Sequence, residues 1–531
     1  MSLEDLANGP PLDAVIIGGG INGAAIAAEA AARGAGVALF EASDFGFGTT
    51  WRSTKLIHGG LRYLEHGDMR LVFESLRERA WLLKTRPYLV RPQRFILPVL
   101  PWTRRPGWQL RAGLSLYDSL SLYRGTPSHR SVNQARLREL AGYLPDAATS
   151  GFTFFDARVL APERLALELV LHARDLGASV HNHAPVRRLH VSHGRIASVD
   201  VESGGTTHEI PARMVINAAG PWVDAVNEQT GLPMPELLGS TRGSHIVVEL
   251  DEEIGHDAVF STARSDGRVF FAVPQGNLLL IGTTDDRFDG DAGSVRPTPG
   301  DIDYLLDEAG ALMPGRAITR ERIRYAYAGL RPLQRMAGGP EAAITRRHTV
   351  VKHREHGGPQ GLVSLVGGKL STFRPLAREV VSLIPGANSQ AARLDPPASR
   401  WRDELLASGL PKPSLSHLRI YGGRVSGVLA AGRDPVCIHA GAIEGEISHA
   451  VRNEQATTLS DILMRRTGIA WSACRGLCCH ERAAEIAARE LGWNGAERKR
   501  QVKSFEKDLE AHLPTVEQVL KDKKTNARNR T

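Results

Sequence analysis

Thirteen residues from Ser53 to Glu65, STKLIHGGLRYLE, set Lys55, His58, Arg62 and Tyr63 around the bare backbone of Gly59 and Gly60. Cations would hold an anion. An imidazole would take up a proton near neutral pH, and paired glycines would let the main chain run against a flat group. A surface loop can carry the same mixture, so the stretch gains meaning only from the elements that position it.

The segment before it supplies them. DAVIIGGGINGAAIAAEAAARGAGVALFEA (13–42) reads as a buried apolar strand, a glycine turn, an Ala-rich helix and a second strand closing on Glu41. In Gly18-x-Gly20-x-x-Gly23, the first glycine allows the tight turn, the second admits a pyrophosphate to the backbone, and the third lets helix and sheet pack closely. Free N–H groups at the helix start face the phosphates, and Glu41 is placed to accept from ribose hydroxyls. NAD proteins share this fingerprint. Two later segments favour FAD: RMVINAAGPWVDAV (213–226), with Ala219 and Gly220 at a second backbone approach, and LVSLVGGKLSTFRPLAREVV (362–381). In the latter, a helix N-terminus after Gly367-Gly368, together with Lys369, would set positive charge near the electron-rich edge of a flavin.

The 531 residues exceed what one core usually holds, so two or three domains are expected. Net charge is +8, and the segment KDKKTNARNRT (521–531) supplies half of it, five cations against one acid. The remainder is weak support for a nucleic-acid partner, and no base-reading motif is present. Four Cys indicate no disulfide framework and fit a reducing compartment. The N-terminal residues have no signal-peptide pattern, and no apolar run is long enough to span a bilayer.

With these segments in hand, the sequence resembles the FAD-dependent (respiratory) glycerol-3-phosphate dehydrogenases over about residues 12–385, and more loosely over 400–500. The resemblance rests on VIIGGGINGAAIA, STKLIHGGLRYLE, NAAGPWV, GSHIVVE, IGTTD, GLRPL, AITR and GGKLSTFR, in that order. It implies an α/β fold: a Rossmann-like FAD domain, an inserted antiparallel-sheet (α+β) substrate domain and a helical C-terminal domain. The boundaries expected are 1–75, 151–238 and 345–385 for the FAD domain, 76–150 and 239–344 for the substrate or cap domain, and 400–515 for the helical domain. Residues 516–531 are expected to be a disordered basic tail.

The implied reaction is oxidation of sn-glycerol 3-phosphate to dihydroxyacetone phosphate by hydride transfer from C2 to flavin N5, the electrons passing to quinone. The resemblance assigns FAD to Gly18, Gly20, Asn22, Gly23, Glu41, Ser53, Thr54, His58, Gly59, Ala219, Gly220, Gly368, Lys369 and Leu370. It assigns substrate to Arg62, Tyr63, His245, Thr284, Asp285, Arg331 and Arg346. Arginine forks suit a dianionic phosphate better than point charges. His245 is the first choice for the base, His58 the second and Asp285 a third, with Lys369 orienting an oxyanion or a flavin carbonyl. Trp51, where relatives carry small polar residues, packs either on the cofactor or in the core. An amine or amino-acid oxidase and an oxygen-using glycerol-phosphate oxidase stand as rivals, with a non-enzymatic or RNA-associated flavoprotein further off.

PWTRRPGWQLRAGLSLYDSLSLYR (101–124) joins Trp and Arg residues to a helical stripe of Leu110, Leu114, Tyr117 and Leu120. This suits a membrane interface or a cap helix. With the resemblance it implies a cytoplasmic protein peripheral on the membrane. A homodimer is among the options. No metal is assigned, and whether Cys437, His439, Cys474 and Cys479 hold a metal or cluster stays open.

Overall fold

The computed structural model describes residues 1–521 except 62, 63, 65, 66, 123, 124, 336–346, 391 and 392. Its first sheet has six strands in the order Thr349–Lys352, Leu362–Val366, Val215–Asn217, Ala14–Ile17, Val37–Phe40 and Ser179–His181. All pairs are parallel except that between Thr349–Lys352 and Leu362–Val366. The central strands AVII and VALF are buried throughout, as a parallel sheet covered on both faces requires. Helices Ile21–Ala32, Pro162–Asp175 and Phe373–Val381 pack together on one face. A three-stranded antiparallel sheet (Val186–Ser192, Arg195–Ser203, Thr206–Pro211) adjoins the other.

A ten-stranded sheet forms the second unit. Its strand Thr241–Glu249 is paired on both sides, with Leu278–Gly282 and Ile323–Arg331. Ser150–Val159 lies in this sheet, paired along its length with Val90–Val99, and not in the nucleotide unit to which the sequence reading gave residues from 151 onward. That reading followed chain continuity into the helix Pro162–Asp175, whereas the strand's pairing is long-range.

The C-terminal part is mostly helical, with Glu444–Glu454, His480–Leu491 and Gly495–His512 as its longest helices. It is fastened to the nucleotide unit by buried charge. Asp44 Oδ2 accepts from Arg465 Nε at 2.5 Å and Arg466 Nη1 at 2.6 Å, and its Oδ1 accepts from Arg466 Nη2 at 2.7 Å. Arg164 donates to Glu454, a pair with both side chains fully buried. Residues 516–521, expected within a disordered tail, form a helical turn whose Val516 and Val519 are buried against the ten-stranded sheet. Apolar positions three apart outweigh the basic composition there. Residues 522–531 lie outside the described residues.

The helix Gly107–Leu120 turns the stripe noted in the sequence inward. Leu114 and Tyr117 are buried, and Leu110 and Leu120 pack against the protein. Trp108, Leu116 and Leu122 are the large apolar side chains exposed among the described residues of this segment. The stripe therefore belongs to a cap helix and is not a membrane-facing surface. Among the described residues no helix is long and apolar enough to cross a membrane.

Candidate active site

The C-terminal ends of strands 14–17, 37–40, 215–217 and 362–366 open onto a cavity of about 650 Å³. Its first wall is the glycine turn. Gly18 has φ +104°, and a Cβ there would come 2.7 Å from the Ala218 carbonyl oxygen. A Cβ on Gly23 would fall 1.9 Å from the Gly18 carbonyl oxygen, so helix and strand are in backbone contact. Thr50 Oγ1 accepts from Ile21 N at 3.0 Å and fixes the helix start.

Glu41 directly follows the second strand on the same wall. Its carboxylate accepts from Gly19 N at 2.7 Å and Ser43 N at 2.9 Å. Burial raises its pKa, opposed by those two N–H groups. Each oxygen keeps a lone pair for a further donor. Across the cavity stand Ala219 and Gly220, then Gly368, Lys369 and Leu370. Gly368, at φ +93°, lies so close to Asn22 that a Cβ would reach its Nδ2 at 2.8 Å. Asn22 Oδ1 is buried at this wall without a protein partner, poised to accept from a bound group. Ser53, Thr54, His58 and Arg331 complete the enclosure.

Not every expected residue reaches this cavity. Gly59 is turned away: its N–H donates to Tyr117 Oη at 2.7 Å, and Leu76 fills the space a side chain would need. Thr284, in the connection after strand Leu278–Gly282, is buried against the strand Thr241–Glu249, where its Oγ1 accepts from Ser244 N at 2.9 Å. Asp285 lines a neighbouring cavity of about 900 Å³, together with residues of the helix Gly107–Leu120. Arg62, Tyr63 and Arg346 lie outside the described residues. Trp51 is core: it is buried, donates to the Phe47 carbonyl and packs edge-on against Trp471.

His245 sits one layer behind the wall. Strand pairing sets it opposite Gly282 on one side and Tyr327 on the other. Its ring stacks on Tyr327 at 4.8 Å and 9°, and a Cβ on Gly282 would come 2.1 Å from it. Its Nε2 is 2.9 Å from Thr54 Oγ1, while Nδ1 is buried without a partner. Burial first, then the charges of Arg331 and Lys55, lower its pKa to about 3, so the imidazole is neutral at physiological pH.

Arg331 links the two cavities. It donates to Asp285 Oδ1 at 2.8 Å, Thr283 Oγ1 at 2.9 Å and the Thr284 carbonyl at 3.2 Å. Asp285 also accepts from Thr241 Oγ1 at 2.8 Å. The sequence reading gave no role to Lys55, although it lies inside the opening stretch. Its ammonium stands 3.4 Å from the Trp471 ring centroid, and burial lowers its pKa to about 8 against the pull of Glu163.

A glycine-gated cavity at a parallel sheet, walled on its far side by an antiparallel sheet carrying a braced arginine, defines a two-domain dinucleotide-dependent oxidoreductase. Residues 13–374 match the family described as FAD dependent oxidoreductase, and residues 363–498 match the C-terminal domain of alpha-glycerophosphate oxidase. The chain belongs to the FAD-dependent oxidoreductase family, and FAD is its cofactor. A glycerol-3-phosphate dehydrogenase of Synechocystis sp. is 34% identical, with 94% of this chain and 96% of the relative covered. A D-erythritol 1-phosphate dehydrogenase of Brucella abortus is also 34% identical, over 86% of this chain and 94% of the relative. The solved structure of the glycerol-3-phosphate dehydrogenase from Bacillus halodurans complexed with FAD covers 96% of each chain, at 26% identity and a TM-score of 0.74.

Proposed function

We propose that the chain oxidises sn-glycerol 3-phosphate to dihydroxyacetone phosphate, with FAD seated against Gly18, Gly20, Asn22, Glu41 and Gly368 and supplying the hydride-accepting chemistry. Arg331 carries the reading. Its guanidinium lies on the cavity wall, and Asp285, Thr283 and Thr284 hold it in one orientation. A fixed planar fork of donors suits a phosphate ester. Lys369, lining the same cavity, adds a second cation.

Thr54 and His245 serve the substrate hydroxyl. Thr54 faces the cavity, and its hydroxyl leads directly to His245 Nε2. A neutral imidazole can receive the proton released as the carbonyl forms. Of the two cations that depress its pKa, Arg331 lines the cavity and is the one a phosphate dianion would neutralise, so substrate binding raises its basicity. His58, also on the wall, is the alternative acceptor.

In this reading the electrons pass to a membrane quinone and the chain is peripheral on the membrane. Support comes from the exposed Trp108 and Leu116 beside Arg104, Arg105 and Arg111, and from the second cavity beneath that helix. The test is anaerobic titration of the flavin absorbance with sn-glycerol 3-phosphate, D-erythritol 1-phosphate and glycine. Bleaching by sn-glycerol 3-phosphate at the lowest concentration is expected. Preference for the tetritol ester would reassign the substrate, and bleaching by glycine alone would refute a phosphate ester altogether.

A further inference from the structure

The C-terminal domain brings together four sulfurs that no step of the oxidation uses, three of them in mutual contact. Cys437 ends the strand Pro435–Cys437, while Cys474 and Cys478 lie in the turn before helix His480–Leu491. Their Sγ atoms are separated by 3.7 Å (437–474), 3.6 Å (437–478) and 3.2 Å (474–478). His439 places a ring nitrogen within 4.8 Å of the sulfurs of Cys474 and Cys478. None of the four lines the flavin cavity.

The separations identify the chemistry. Zinc–thiolate bonds are about 2.3 Å, so two sulfurs on one tetrahedral ion stand about 3.8 Å apart. Three sulfurs in mutual contact at 3.2–3.7 Å fit a single ion with little movement. A two-iron cluster divides its protein ligands two to each iron and would need one sulfur drawn away from the others. These distances are also far longer than a disulfide bond, which is about 2.05 Å. Cys479, which the sequence spacing put beside Cys474, has its sulfur within 4.8 Å of those of Cys437 and Cys478, but it is buried and donates its thiol to the Gly476 carbonyl at 3.4 Å. Positive φ at Arg475 (53°) and Gly476 (80°) turns the chain so that Cys478 faces the other sulfurs.

We propose that Cys437, Cys474 and Cys478, with His439 as fourth ligand, bind one zinc-class divalent ion. His439 and Cys478 are exposed, which leaves the site an entry path and His439 room to turn inward. Four protein ligands close the coordination sphere, so the ion is structural. It pins the hairpin around Cys437 to the start of the following helix across 37 and 41 residues of chain.

The test uses the full-length flavin-loaded enzyme. Metal analysis should give one zinc per chain. Protein grown with cobalt in place of zinc should show thiolate-to-cobalt charge-transfer absorption. Cys478→Ser should weaken metal binding by more than the about 10–100-fold typical of an outer-shell partner. Cys479→Ser should keep the ion, and a chelator should lower the melting temperature of the parent but not of Cys478→Ser. Three results would each overturn the proposal: no metal and no cobalt band from supplemented cultures, two irons with sulfide, or a Cys474–Cys478 disulfide found by alkylation under anaerobic conditions. Loss of metal in Cys479→Ser but not in Cys478→Ser would refute the ligand set.

Discussion

Replacing Arg331 by Met keeps the side chain's reach and deletes its charge. Three hydrogen bonds brace the guanidinium at the cavity wall. A hydrogen bond to a charged group is worth about 1.5–3 kcal/mol, so kcat/KM for sn-glycerol 3-phosphate should fall about 10- to 150-fold. The loss should fall mainly on KM, because a phosphate remote from the reacting carbon is held alike in ground and transition states. Flavin content should hold, since none of the glycine-turn contacts involves Arg331. The same change takes from the Asp285 carboxylate the cation bonded to it at 2.8 Å, so the melting temperature should drop. Adding Asp285→Asn removes that carboxylate's charge and should recover part of that stability without recovering KM. Steady-state kinetics with an artificial acceptor, anaerobic flavin reduction and thermal melts read these separately. An unchanged KM in Arg331→Met would refute the assignment. A KM restored in the double variant would show that Arg331 serves only to neutralise Asp285.

Gly23→Ala should abolish flavin retention, because its Cβ would be driven into the Gly18 carbonyl at 1.9 Å; a normal flavin-to-protein absorbance ratio would contradict this. His245→Ala should slow flavin reduction by about 10²–10⁴-fold, as stopped-flow mixing would register, and reduction at the parental rate clears His245. His183 contributes a pH dependence. Burial lowers its pKa, but the hydrogen bond from its Nε2 to Asp461 at 2.9 Å and that carboxylate's charge outweigh burial and raise it above 6.5. A raised pKa favours the folded state below the ordinary His value, and the benefit is lost as pH climbs through the folded value. The melting temperature should therefore decline above pH 6.5 in the parent and less steeply in His183→Gln; equal slopes would remove His183 from the account.

The nucleotide end was legible because its signals are local. Four apolar residues, a glycine turn and an Ala-rich helix are contiguous, and strand, turn and helix follow in that order. The catalytic wall was less so, because register decides it. His245 faces the space left by Gly282, thirty-seven positions later, and stacks on Tyr327 in a third strand. No local pattern states that Thr54 would stand between it and the cavity. Thr284 sat beside plausible residues in IGTTDD, yet it lies in the connection between two strands, where its hydroxyl is tied to the Ser244 N–H. The apolar stripe of 107–120 announced an apolar contact without naming its partner, which proved to be the protein itself. Lys55 had its signal in the opening stretch, but only the fold reveals the aromatic face that covers it.

Asp44 follows Glu41 by three residues, yet the arginines that grip it, Arg465 and Arg466, are synthesised more than four hundred residues later. While the chain emerges from the ribosome, Asp44 therefore stands three residues from the pocket's Glu41 without the two arginines that grip it in the finished fold. A chain truncated after the sheet domains should hold flavin less tightly than the full chain, and an equal flavin-to-protein absorbance ratio would show that this late clasp does not bear on the pocket.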